Sequence, residues 1–332
     1  MKKIICIFLI ILLFCGCTKK TNKNEVNILN WSSYIPFEII NDFEKETGIR
    51  VNYGTYSSNE ELLAKISSSK EGTYDLIFPS DYMVELMISK NMLEEFDTSK
   101  LNNFDNINPL FLNQKFDSTN KYSIPFLAAT SVIAVNRDNV KDEIDSYNDL
   151  LNPKYKNNIV LIDDQRIIIG MALQANGYGM NEVDKKKLNK AKDWLLKFDK
   201  NVKAFDSDSP KTFLITNEVD IGIIWNAEAE IAKEYNDNIE IIYPKDGFAI
   251  SLDNYVLVKG AKNKDNAYKF IDYILRDDVN KKITDEYPYI NTTISNMNLD
   301  YNELTTILSN GSYVENIGSN ISQYDKLWAE IK

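Results

Sequence analysis

The sequence predicts an α/β protein of two lobes joined by two crossing segments. Three observations lead there. After residue 25 the chain alternates short apolar runs with amphipathic runs in the order β-α-β-α-β-α, the pattern of a parallel sheet covered on both faces. Residues 126–136, FLAATSVIAVN, are too long and too apolar for an ordinary strand and are expected to pass from one lobe to a second. Residues 253–258 have the character of a second crossing. At 332 residues the chain is long enough for two lobes. Two lobes with two crossings make a hinge, and hinged proteins close over a small molecule held in the cleft.

Residues 26–29 form a short buried strand that runs into a polar turn carrying Trp31 and Tyr34. Residues 36–47 form a helix with Pro36 in its first turn, Phe37, Ile40 and Phe43 on one face, and Gly48 as its stop. Residues 51–56 are a strand. Ser58 and Glu61 have the spacing of a capping box, opening a helix with Leu62, Leu63 and Ile66 apolar. Residues 74–78 are a strand ending in Pro79-Ser80-Asp81-Tyr82, and 83–89 a helix. The Asn-rich, aperiodic stretch 101–121 is expected to be a long surface connection. Beyond the first crossing, 146–151 is a short helix, 159–162 a strand ending in Asp163-Asp164, and 167–175 a helix. Leu188, Ala191, Leu195 and Phe198 mark another helix. Residues 202–205 are a strand ending in Asp206-Ser207-Asp208, 213–218 a short helix, 221–224 a strand ending in Trp225-Asn226, and 239–243 a strand. Residues 266–275, apolar at Ala267, Phe270, Ile271 and Ile274, are a helix. The remainder is expected to be short helices and loops, ending in an amphipathic tail, 321–331, with Trp328. The expected lobes are 26–131 plus 253–296, and 132–252 plus 297–332.

The N-terminus is a targeting segment. Lys2 and Lys3 precede an apolar run, 4–14, too short to span a bilayer as a helix. Leu13-Phe14-Cys15-Gly16-Cys17 then resembles a lipoprotein-type cleavage site, which predicts a signal peptide at 1–16 and a lipid on Cys17. A plain signal peptide cut nearby is the alternative. Residues 17–25 are expected to be a flexible tether, leaving a soluble body held at a membrane surface by several acyl chains. Cleavage removes Cys6 and Cys15, so no internal disulfide is expected. It also removes Lys2 and Lys3, taking the formal net charge from −11 to −13, which argues against nucleic acid as a partner. The chain has no histidine, which removes His-based metal sites, Ser-His-Asp triads and the commonest general base. It has four arginines, Arg50, Arg137, Arg166 and Arg276, few for bidentate recognition of an anion. No cofactor or metal is expected.

The segments that follow the strands carry Trp31 and Tyr34; Ser80, Asp81 and Tyr82; Asp163 and Asp164; Ser207; Trp225 and Glu228; and Asp253 at a crossing. Singly, such acids are often helix caps, and Asp163 is expected to be one. Jointly they are carboxylates and aromatics, with no activated nucleophile and no Gly-rich phosphate loop. In α/β sheets the crevice beyond the strand ends is where ligands sit. Aromatic faces with carboxylates suit a flexible organic cation, and an aliphatic diamine or triamine fits both.

The residues that carry this pattern also carry a resemblance. NWSSYIP at 30–36, FEKETGIRV at 43–51, YDLIFPSDY at 74–82, YSIPF at 122–126, GIIWN at 222–226 and NAYKFIDYILRDDV at 266–279 resemble the bacterial periplasmic spermidine/putrescine-binding proteins of ABC transporters. The resemblance implies the two-lobed periplasmic-binding-protein fold (type II), a polyamine ligand, an ABC permease as partner and a monomeric, non-catalytic body. It implies that Trp31, Tyr34, Tyr82, Trp225 and Tyr287 wrap the carbon chain, that Ser80 and Ser207 supply hydroxyls, and that Asp164 and Asp253 bind ammonium groups. Tyr289 is the alternative to Tyr287. The family's spermidine binders carry acids where this chain has Ser33 and Ile167, a Trp where it has Ser251 and a Gln where it has Val314. Glu228 stands where putrescine binders place an acid. Fewer acids and one fewer aromatic favour two ammonium groups over three. Two other functions fit the residues less well. One is a polyamine sensor for a membrane partner. The other is a two-carboxylate hydrolase, for which the adjacent Asp163 and Asp164 lack a facing geometry.

Overall fold

The computed structural model describes residues 24–332. The expected signal peptide, the lipidated Cys17 and most of the expected tether lie outside the described residues.

The first lobe starts with β1 (Glu25–Trp31), α1 (Phe37–Thr47), β2 (Arg50–Tyr56), α2 (Asn59–Ser68), β3 (Leu76–Ile77) and α3 (Asp81–Ser89). β1 lies between β2 and β3, parallel to both. Each helix follows from local signals. Gly48 ends α1 with φ 67°, the left-handed conformation that costs glycine no Cβ clash, and its N–H closes on the Glu44 carbonyl at 2.9 Å. Ser58 Oγ accepts the Glu61 N–H at 3.1 Å, as the spacing predicts, but the Glu61 carboxylate accepts from Ser57 rather than from the cap residue.

β4 (Ile124–Asn136) is buried along all thirteen residues. Its first half pairs with β9 (Ala249–Leu257), and from Ser131 onward it pairs with β7 (Ile221–Trp225) and then with β8 (Ile239–Ile242). It is thus the crossing that its apolar length predicts. β9 is the other crossing, but it begins at Ala249, earlier than the expected 253. Ala249 and Ile250 pair with the short strand β11 (Ser312–Tyr313), and Ser251 and Leu252 pair with β4, so tertiary pairing extends the strand past the local apolar run. Ser131 Oγ accepts the Ala249 N–H at 3.0 Å and ties the two crossings together.

The second lobe holds β5 (Ile159–Leu161) between β6 (Val202–Phe205) and β7, parallel to both. The helices α4 (Gln165–Ala175), α5 (Lys185–Phe198), α6 (Lys211–Ile215) and α7 (Asn226–Tyr235) accompany these strands. The sheet order is β2-β1-β3-β9-β4-β7-β5-β6. The chain then returns through α8 (Lys264–Ile274), α9 (Asp277–Glu286), β10 (Ile290–Asn291) and α10 (Tyr301–Asn310) to α11 (Ile321–Ile331). α9 and α10 are full helices of 10 residues where only short helices and loops were expected. Each buries only a narrow stripe, Val279 and Ile283 in one, Leu304 and Ile307 in the other, too little periodicity to stand out.

The 101–121 connection is irregular but does not stay on the surface. Phe111 is fully buried among Ala128, Ile250, Leu252 and Ile290 beneath the crossings. The buried Asp117 carboxylate accepts the N–H groups of Lys121, Tyr122 and Ser123 and so holds the turn. Each lobe has its own core, one around Phe43, Phe78, Phe126 and Phe270, the other around Tyr147, Ile168, Phe198 and Tyr324. Among the described residues no helix is long and apolar enough to cross a membrane.

Candidate functional site

Between the lobes lies a cleft of about 470 Å³, the size of a small-molecule site. β1 delivers Trp31 to it. The indole N–H donates to the Phe78 carbonyl at 2.9 Å, and that oxygen also accepts the Tyr56 hydroxyl at 2.6 Å. The Trp31 ring is therefore pinned, 4.6 Å from Tyr56 and 6.4 Å from Tyr34. Tyr34 is buried and lies 4.7 Å from Tyr289. On the far side, Trp225 ends β7, half-buried, and Ser207 sits exposed on the rim.

Asp253 is the buried charge of this wall. It lies on β9, only 4% exposed. Tyr34 donates to one carboxylate oxygen at 2.5 Å and Ser80 to the other at 2.6 Å. Asn59 braces Ser80, donating to its Oγ at 3.1 Å and accepting its N–H at 3.2 Å. Burial pushes the Asp253 carboxyl up to about 6, against the lowering effect of the Ser80 and Tyr34 donors and of the nearby Trp31 indole. Among the described residues no lysine or arginine pairs with it. Each oxygen has one neutral donor and keeps room for another.

A second acidic group lies where the lobes face each other. Asp164 is the N-cap of α4, its Oδ1 accepting from Arg166 N–H at 2.7 Å and Ile167 N–H at 3.1 Å. The cap expected of Asp163 thus belongs to its neighbour, while Asp163 pairs with Lys332. Burial pushes the Asp164 carboxyl up, and the two N–H donors ease it. From the first lobe, Glu60 accepts the Tyr82 hydroxyl at 3.1 Å. Burial, then the Asp164 charge, pushes the Glu60 carboxyl up. Arg166, buried, stands over the rings of Tyr82 and Tyr324 at 5.7 and 5.1 Å. Its Nη2 donates to Asn181 and to the Glu315 carbonyl.

Of the residues singled out in the sequence, Trp31, Tyr34, Ser80, Tyr82, Asp164, Ser207, Trp225, Glu228 and Asp253 line the cleft. Tyr287 does not, and Tyr289 takes its place. α9 ends at Glu286, Tyr287 caps it, and the chain turns at Pro288 with the Tyr289 N–H on the Tyr287 carbonyl at 2.7 Å. That turn sends Tyr289 inward and leaves Tyr287 half-buried against the first lobe's core. Ser33, Ile167, Ser251 and Val314 also line the cleft. Glu228 faces the cleft already engaged, with both its oxygens on Lys211 Nζ at 2.8 and 2.9 Å.

Glu60, Tyr56 and Arg166, which line the cleft, and Lys211, which pairs with Glu228, were missed. Glu60 sits in the first turn of α2, where an acid ordinarily answers the helix dipole. Only the fold, which sets it opposite Asp164, distinguishes it.

A cleft between two α/β lobes, lined by aromatics and carboxylates, is the site of a solute-binding protein, and the chain belongs to the bacterial extracellular solute-binding proteins, whose family model matches residues 38–300. It is 36% identical over 322 residues to the spermidine/putrescine-binding periplasmic protein of Escherichia coli (strain K12), covering 94% of this chain and 92% of that protein. It is 31% identical over 294 residues to the putrescine-binding periplasmic protein PotF of the same organism, covering 82% and 79%. Among solved structures, a putative spermidine/putrescine ABC transporter from Listeria monocytogenes superposes with a TM-score of 0.86 at 34% identity, covering 93% of this chain and 98% of that one.

Proposed function

We propose that the cleft captures a short aliphatic polyamine, putrescine or spermidine in the first instance, and that the protein hands it to an ABC permease without acting on it chemically. The observation that carries this reading is Asp253, a buried carboxylate held by two neutral hydroxyls in an aromatic wall. An ammonium group supplies the missing countercharge, offsetting a desolvation cost of several kcal/mol per ion. Each ring of Trp31, Tyr34, Tyr82, Trp225 and Tyr289 adds ~0.5–2 kcal/mol against a desolvated ammonium. Each methylene buried against them adds ~0.8 kcal/mol. The names of the relatives support the same ligand class.

Residues 26–131 plus 253–296 form the first lobe in this reading, and 132–252 plus 297–332 the second. The partner switch of β4 at Ser131 supports that division. Glu60 and Tyr82 on one side and Asp164 and Arg166 on the other then meet across the cleft, and ligand that bridges them favours closure to the extent that it prefers the closed state. We further read Cys17 as the lipid anchor and the body as a monomer at the membrane surface.

Calorimetric titration of the soluble body, residues 18–332, with putrescine, cadaverine, spermidine and spermine tests the proposal. Saturable binding of one amine per chain is expected. Heat-silent titrations with all of them would contradict it.

A further inference from the structure

The ion pair of Lys211 with Glu228 differs in kind from the other pairs of this chain. Most of those have a partner well exposed to water, as in Lys45 with Asp42, and contribute little. Lys211 and Glu228 are only 22% and 12% exposed, and both carboxylate oxygens accept from the same Nζ. The loop that carries Ser207 to the rim leads directly into α6, of which Lys211 is the first residue. Its ammonium meets the cleft through Glu228, which lines the cleft while Lys211 does not. The Glu228 charge is felt by Tyr289, which lies against Tyr34, the donor to Asp253. Glu228 therefore continues the aromatic wall beyond Asp253.

From this arrangement we infer that Lys211 is a specificity-determining residue, a built-in ammonium that fills the subsite of Glu228 and so restricts the cleft to ligands with two ammonium groups. The inference rests on the polyamine reading of the same cleft. Formal charges lead to it directly. Asp253 leaves one uncompensated negative charge at its position. Glu60 and Asp164, both within the field of the Arg166 charge, leave one at theirs. Glu228 and Lys211 leave none. A third ammonium, as in a triamine, has to displace Lys211, and breaking a desolvated pair leaves a charge uncompensated. Ser33 and Ile167 offer it no acid, and the cleft's other acids are engaged or exposed to water: Asp163 pairs with Lys332, Asp325 accepts from Gln165, and Asp208 is exposed on the rim.

The test titrates putrescine and spermidine into wild type, Lys211→Met and the double variant Lys211→Met/Glu228→Gln. Met keeps the length of the stem and removes the charge. Lys211→Gln serves in its place should the Met variant fail to fold. In the single variant, spermidine affinity is expected to rise relative to putrescine by about tenfold, the scale of one close charge pair. The double variant is expected to return the ratio to its wild-type value. An unchanged ratio in the single variant, with only a lower melting temperature, would make the pair a structural one and overturn the inference. A wild type that binds neither amine would instead remove the polyamine reading, and this inference with it.

Discussion

Replacing Asp253 by Asn is expected to weaken amine binding by on the order of a hundredfold or more, the scale of truncating one partner of a buried charge pair, while the protein stays folded. The carboxylate is buried, accepts from Tyr34 and Ser80, and is matched by no cation of the chain among the described residues. In the unliganded protein its charge is therefore a cost, which burial expresses as a carboxyl raised to about 6. The amide removes that cost and keeps the shape and one acceptor oxygen. The melting temperature of the unliganded variant should equal or exceed that of wild type. Calorimetry with putrescine and a thermal melt together check both halves. Unchanged affinity would remove Asp253 from the site, and a collapse in melting temperature would make it a structural residue.

The second large effect is on pH. A bound ammonium holds Asp253 ionised, whereas in the free protein the group takes a proton near pH 6. The amine itself stays charged throughout this range, since alkyl ammonium groups titrate near pH ~10. Affinity should be flat above pH ~7 and fall below pH 6, approaching about tenfold per unit, as binding increasingly requires the release of one proton. The stability of the unliganded protein follows the opposite sign. The folded value lies above the ordinary 3.8, so between those values the folded state holds more protons than the unfolded one. This group's contribution is then most favourable in acid and declines as pH rises from about 4 to 6. Titrations across pH 5 to 8 should show the inflection in wild type and lose it in Asp253→Asn. An inflection that persists in the variant would assign it to another acid, Glu60 being the first to examine.

The architecture was legible because its strongest signals are local. The long, largely apolar run of β4 is too long for an ordinary strand and signals a buried crossing, and Gly48, Ser58 and Pro36 mark helix ends by their own chemistry. The strand-end aromatics were legible because ligand clefts in such sheets form beyond the strand ends. What was lost depended on tertiary placement. Tyr287 and Tyr289 flank one proline, and only the end of α9 decides which turns inward. Asp163 and Asp164 are adjacent acids, and only the start of α4 decides which caps. Glu60 is an unremarkable first-turn acid until the second lobe brings Asp164 opposite it. Glu228 was expected to be open to a ligand, because nothing near it in sequence reveals that Lys211, seventeen residues earlier, closes on it from α6.

The most direct test of the central claim is a crystal structure of residues 18–332 with putrescine. One ammonium nitrogen should lie within about 2.7–2.9 Å of an Asp253 oxygen, with the methylenes against Trp31 and Tyr34 and the other nitrogen toward Glu60 and Asp164. Putrescine bound with no nitrogen near Asp253, or a cleft empty at saturating amine, would contradict the account.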